Sequence, residues 1–129
     1  MKKNWLILIL TGLVLGMMPA KGIAAAQEQF FSILPDIPVA PGLTELKDQG
    51  TVFDKPEGRI VDILAESDGN DLAGIKAYYA QTLPQLGWKA LADGAGFIRQ
   101  NERLTLSDEK RAGRQFLHIV MFPAAGPKP

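Results

Sequence analysis

The chain has 129 residues, with 14 basic and 14 acidic side chains, one histidine and no cysteine. Without cysteine there is no disulfide, no thiolate zinc site and no lipid-attachment cysteine of a bacterial lipoprotein. No dense Lys/Arg cluster occurs, which argues against the electrostatic footprint of a nucleic-acid binder.

Lys2 and Lys3 precede the apolar run 5–18, and 22–27 places small side chains at Ala24 and Ala26. That order of parts predicts a secretory signal peptide over 1–26, cut after Ala26. An uncleaved membrane anchor is the competing reading. A span needs ~20 apolar residues, and Pro19 and Lys21 close this run earlier. The protein is therefore expected to be periplasmic or secreted, with membrane contact only through an uncleaved signal segment. The remaining chain carries a formal charge of −3, split as −6 over 27–87 and +3 over 88–129.

In 27–51, Pro35, Pro38 and Pro41 fall three apart, which favours an extended, polyproline-like path. The apolar residues between them (Ile33, Leu34, Ile37, Val39, Leu43) suggest a strap over an open sheet face; a flexible leader and an external docking ligand are the alternatives. The globular part is expected over 52–123, and 124–129 reads as a disordered tail. Residues 52–60 read as a loop entering a strand, with Pro56 and Gly58 suited to a turn.

Residues 58–67 alternate: Val61, Ile63 and Ala65 on one face, Asp62 and Glu66 on the other, the pattern of a half-buried strand. Residues 68–70 turn the chain, with Asn70 as the expected helix cap and Asp71 favoured by the helix dipole. Leu72, Ile75, Tyr79, Leu83 and Leu86 then form one helical stripe. Pro84 withdraws the amide that the Ala80 carbonyl would accept, a cost of ~3 kcal/mol in a helix interior but easier to accommodate near an end. Gly87 supplies a left-handed terminator, and Trp88 folds back on Leu83 as a hydrophobic latch.

Four short strands are expected next, at 88–91, 96–100, 103–107 and 114–122, with turns at 92–96 and 100–102 and a charged hairpin loop at 108–113. The last strand is apolar on both alternations, so it belongs mid-sheet with both faces covered. One helix covers one face, so the proline-rich segment is assigned to the other. The expected fold is α+β, one main helix packed on a curled, mainly antiparallel sheet, in the order β-α-β-β-β-β.

Candidate chemistry is thin. His118 shares a strand face with Phe116, Val120 and Phe122, which suits a hydrogen-bonded core or edge histidine. A metal centre wants two or three N or S ligands, and no nucleophile, P-loop or dinucleotide motif occurs. No catalytic residue, metal or cofactor is therefore assigned. Asp62 and Glu66, four apart on a strand, have Cα atoms roughly 13 Å apart, beyond the ~5–9.5 Å of glycosidase carboxyl pairs. Residues 66–71 concentrate carboxylates around a glycine but lack the register of a calcium loop. Arg99, Arg103, Lys110, Arg111 and Arg114 tint the C-terminal hairpin basic, with Glu102, Asp108 and Glu109 interleaved. Asp54, Lys55, Glu57 and Arg59, in the 52–60 segment, join Arg99 and Arg103 as the candidate binding residues.

The stretches "FDKPEGRIVD", "YYAQTLPQLGW" and "GFIRQNERLTL" together resemble a group of small, exported, uncharacterised proteins of Gram-negative bacteria. That group repeats a strand, a helix ending in a Tyr–Tyr or Phe–Tyr…Leu-Gly-Trp motif, and a strand meander. The resemblance covers most of 34–122 and brings no catalytic residues. A looser likeness holds to helix-on-sheet domains of outer-membrane assembly lipoproteins, from which the missing cysteine departs. Both imply an envelope setting. The expected function is a non-enzymatic periplasmic binding or accessory module for an envelope protein. The alternative is a small hydrolase or ligand-binding enzyme that uses His118 with a carboxylate brought near by folding.

Overall fold

The computed structural model describes residues 27–94 and 96–125. The expected signal segment 1–26 with its cleavage site, one residue of the 92–96 turn, and residues 126–129 of the expected disordered tail lie outside them. In chain order the elements are β1 (Phe30–Phe31), β2 (Leu34–Pro38), β3 (Leu43–Glu45), a 3-10 turn (Lys47–Gln49), β4 (Thr51–Lys55), β5 (Gly58–Ser67) and α1 (Leu72–Gln85). Then follow β6 (Lys89–Ala90), β7 (Phe97–Arg99), β8 (Glu102–Arg111) and β9 (Arg114–Pro123). The fold is α+β: one helix packs on an antiparallel sheet ordered β3-β5-β9-β8-β7-β6. β4 pairs with β5 beside β3, so the 3-10 turn interrupts what is in effect one edge strand.

The alternation of β5 decides the layering. Val61, Ile63 and Ala65 are fully buried, while Asp62 and Glu66 are only half-buried. Across from them on β9 stand Met121, Ile119 and Leu117, also sealed. β9 lies mid-sheet, between β5 and β8. Leu72, Ile75, Tyr79 and Leu83 of α1 pack on this core face.

Helix ends follow side-chain chemistry. At the N-terminus Asp71, not Asn70, is the cap: its carboxylate accepts the Gly74 N–H at 3.0 Å. Asn70 instead takes a left-handed conformation (φ 51°) in the turn, which short amide side chains tolerate. At the C-terminus the Trp88 N–H donates to Leu83 at 3.1 Å and the Gly87 N–H to Pro84 at 3.2 Å, with Gly87 at φ +87°. This is the paired Schellman arrangement. Leu86, the last member of the expected stripe, is exposed as the cap residue, and Trp88 is buried instead.

Three expectations about the chain between helix and strands change. Five strands precede the helix where one was expected, because Pro35 and Pro38 are accommodated within β2, part of a two-stranded ribbon with β1; prolines survive where no ladder N–H is required. The 52–60 segment is a hairpin, β4–β5, not a loop. The charged 108–113 loop is mostly strand: β8 and β9 pair as far as Arg111↔Arg114. Ala112 (φ 49°) and Gly113 (φ 76°) make the two-residue turn, the geometry that matches strand twist.

The proline-rich segment packs beside the helix, not on the opposite face. Phe31, Leu34, Ile37, Ala40 and Leu43 share one core with Tyr79, Leu83, Ile63 and Ile119. A single helix leaves much of a wide sheet uncovered, and the strap fills that remainder. The other face carries Ile60, Leu64, Phe116 and Phe122, which are buried nonetheless. Long side chains close it in part: the Arg111 and Arg114 guanidinium groups lie 5.9 and 5.7 Å from the Phe116 ring centre. Arginine stems can cover apolar surface while keeping the charge wet.

Candidate recognition surface

The β4–β5 hairpin presents an exposed edge. Every residue of β4 is exposed, and Val52 and Phe53, at 43% and 56%, are among the few large apolar side chains left in solvent. Apolar residues at an unpaired strand edge are a template for another chain. Asp54 stands directly across from Arg59, and Lys55 from Gly58.

At the turn end of this hairpin the β7–β8 turn comes alongside. Glu57 and Arg59 from the first, and Gln100, Asn101 and Glu102 from the second, line a polar cleft of about 300 Å³ floored by Pro123. Glu102 ties the two turns together: one carboxylate oxygen lies 3.9 Å from Arg59 Nε and the other 3.5 Å from an Arg99 guanidinium nitrogen. These are half-exposed pairs in high dielectric, so they orient side chains more than they stabilise.

Arg99 is otherwise committed inward. Its guanidinium bonds Asp36 of the strap at 2.5 Å, donates to the Leu86 carbonyl at 3.4 Å and stacks 4.3 Å above the Trp88 ring. It joins strap, helix end and sheet. Arg103 departs from the group. It stands opposite Phe122 on the far sheet face, with its Nε buried. Of the six expected binding residues, then, Glu57 and Arg59 line the cleft, Arg99 borders it through Glu102, Asp54 and Lys55 lie on the neighbouring edge, and Arg103 lies elsewhere.

Glu102 and Phe53 were not singled out from the sequence. Phe53 had a readable signal, because Thr51–Lys55 followed by Pro-Glu-Gly is a short strand entering a tight turn. The convergence on Glu102 had none, since its partner Arg59 lies 43 residues earlier in the chain, on another strand.

His118 Nε2 lies 2.6 Å from Asp62 Oδ1, with the two side chains 34% and 41% exposed. Ser107 stands across from His118 on β8. On β5 it is Leu64 that stands directly across from His118, so Asp62, paired with Val120, reaches the ring diagonally, and no hydrogen bond joins Ser107 to His118 among the described residues. Mid-strand amides are engaged in the ladder, so they do not converge as oxyanion donors. Three further clefts, of about 490, 420 and 400 Å³, flank the strap and are lined by neither His118 nor the candidate binding residues. Among the described residues no group of three or more His, Asp or Glu side chains could hold a metal ion, and no helix is long and apolar enough to cross a membrane.

No protein-family model, curated protein or solved structure matches this chain.

Proposed function

We propose that the protein is a non-enzymatic, exported binding or accessory module, and that it meets an envelope protein with the end of the sheet where the β4–β5 and β7–β8 turns converge. The observation that carries this reading is the shared cleft. Two turns distant in sequence place Glu57, Arg59, Asn101 and Glu102 around one polar recess, with exposed apolar side chains at the adjoining edge. Mixed charges around an apolar patch suit recognition of a protein surface, where the rim sets orientation and the apolar part gains from burial. The signal-like N-terminus and the resemblance to exported proteins support the envelope setting.

The alternative, a small hydrolase using His118 with Asp62, is favoured by their 2.6 Å contact. Its weakness is that, among the described residues, no nucleophile is bonded to the histidine. Substitution His118→Ala in the native strain separates the two: the binding module keeps its partner, the hydrolase loses its activity.

The primary test is photocrosslinking in cells from Glu57, Arg59 and Asn101 of the native exported chain. A discrete envelope protein on the adducts is the expected result. Monomer alone at all three positions overturns the reading.

A further inference from the structure

The outer edge of β4 has a definite hydrogen-bonding phase. The Leu46 N–H donates to the Leu64 carbonyl and the Asp68 N–H to the Gly42 carbonyl, both at 2.9 Å. Even-numbered residues of β5 therefore bond toward this side of the sheet. Thr51 and Phe53 stand opposite Asp62 and Ile60, so Thr51, Phe53 and Lys55 bond inward. The backbone groups of Val52 and Asp54 point out, because antiparallel pairs alternate. Among the described residues no strand pairs with that edge.

An antiparallel strand must join outward groups to outward groups. If the visitor is a second β4, that leaves registers with Val52 on Val52, Asp54 on Asp54, or Val52 on Asp54. The first runs Lys55 onto Gln49, which is in the 3-10 turn and not extended. The second sets like charges face to face, which is unfavourable. The third uses all of β4: Thr51 opposite Lys55 of the second copy, Val52 opposite Asp54, and Phe53 on Phe53 at the two-fold axis.

Charge supports this register. Lys55 has no ion-pair partner among the described residues, and Gly58 stands across from it. In the third register, Lys55 of one copy lies beside Thr51 of the other. Thr51 is itself paired with Asp62 on the same face. Two strand spacings amount to roughly 10 Å between Cα atoms, which the lysine and aspartate side chains together can span. Each copy thus brings a cation to the other's Asp62, and each buries the exposed Phe53 ring.

We infer that the chain self-associates through β4, antiparallel and two-fold about Phe53, to give a sheet continuous across two copies. The contact is one short strand per copy, small beside the ~800 Å² per partner of a standard interface, so the dimer is weak and reversible. This goes beyond the proposed partner binding. The two readings share the exposed Val52 and Phe53, but the cleft itself is lined by neither, so the tests fail separately: absent adducts at Glu57 leave the dimer standing, and an absent dimer leaves the adducts standing.

The absence of cysteine makes a single-cysteine scan direct. In the inferred register the two Phe53 positions form a non-hydrogen-bonded pair, Cα atoms about 4.5 Å apart, within disulfide range. The two Val52 positions, and likewise the two Asp54 positions, sit about 8 Å apart, outside it. The exported chain carrying Phe53→Cys is expected to form disulfide dimers under mild oxidation, whereas Val52→Cys and Asp54→Cys alone are not. A mixture of those two variants is expected to cross-link with each other. No dimer from Phe53→Cys, dimers from Val52→Cys alone, or equal dimers from all three would each overturn the inference. Sedimentation gives an independent reading. Val52→Pro removes an outward N–H and leaves the inward ladder intact, so it is expected to abolish the dimer and keep the far-UV spectrum. Persistence of the dimer in that variant also overturns it.

Discussion

Tyr79 holds Ala40 in place: its hydroxyl accepts the Ala40 N–H at 3.1 Å and donates to the neighbouring Pro38 carbonyl at 2.8 Å. One fully buried phenol on the helix thereby satisfies two backbone groups of the strap. Substitution Tyr79→Phe leaves both without a partner, and an unsatisfied buried group costs ~1–3 kcal/mol. The expected outcome is a lower thermal midpoint with amide exchange rising over 34–43 ahead of the rest of the chain. Unchanged exchange there would show that apolar packing alone seats the strap.

The same phenol sets an alkaline limit. Burial pushes the Tyr79 pKa well above the ordinary 10.0, against the opposing effect of its bond from Ala40. A raised folded-state pKa means that the folded protein keeps a proton which the unfolded chain releases. Its stability contribution is complete below about pH 10 and declines as pH rises from there toward the higher folded value. Denaturant titrations between pH 9 and 11 are expected to show this decline in the wild type and a shallower one in Tyr79→Phe.

Two glycines with positive φ should separate clearly. A Cβ on Gly96 (φ +134°) would lie 2.2 Å from the Leu104 carbonyl oxygen, whereas one on Gly113 (φ +76°) meets nothing within 4 Å. Gly113→Ala is expected to cost only the left-handed backbone penalty, ~1–2 kcal/mol. Gly96→Ala must also push β7 from β8, and a loss above ~3 kcal/mol is expected. Urea unfolding of the two variants measures the difference, and equal losses would contradict the close packing at Gly96.

Arg99 is expected to matter for stability more than for partner binding. Arg99→Ala removes the Asp36 bond and the stacking on Trp88 together, for a loss of ~1–3 kcal/mol. Arg99→Lys is not expected to restore it, because an ammonium cannot stack as a plane while reaching a carboxylate. By contrast, His118→Ala is expected to change stability by less than ~1 kcal/mol, since the Asp62 pair is more than a third exposed. Thermal melts of the three variants rank these contributions.

Much of the architecture is legible in the amino-acid sequence. The period-2 pattern of 58–67 corresponds to β5, and the stripe expected from Leu72 to Leu86 corresponds to α1 as far as Leu83, with Leu86 exposed at the cap, because burial of one face imposes the period of the backbone on the side chains. Gly87 and Trp88 announced the helix end through a requirement for left-handed geometry that few residues meet. The 51–55 strand was missed because its residues are all exposed, so burial left no pattern. The 108–111 extension of β8 is hidden because its residues are charged and mostly exposed, with only Glu109 half-buried, so they read as a loop.

By itself, then, the sequence determined the elements whose faces are buried, the terminator of the helix, the cysteine-free core and the composition of the exported-looking N-terminus. Each of these rests on residues near one another along the chain, where local geometry and side-chain type are sufficient. Only the tertiary structure decided which face the strap takes, that Tyr79 would clamp it, that Glu102 would join Arg59 to Arg99, and that His118 would meet Asp62 across 56 residues. Those relationships depend on strand order and register. They arise from non-local pairing, in which the backbone bonds are alike at every position and the choice among pairings is made by the packing of the whole sheet.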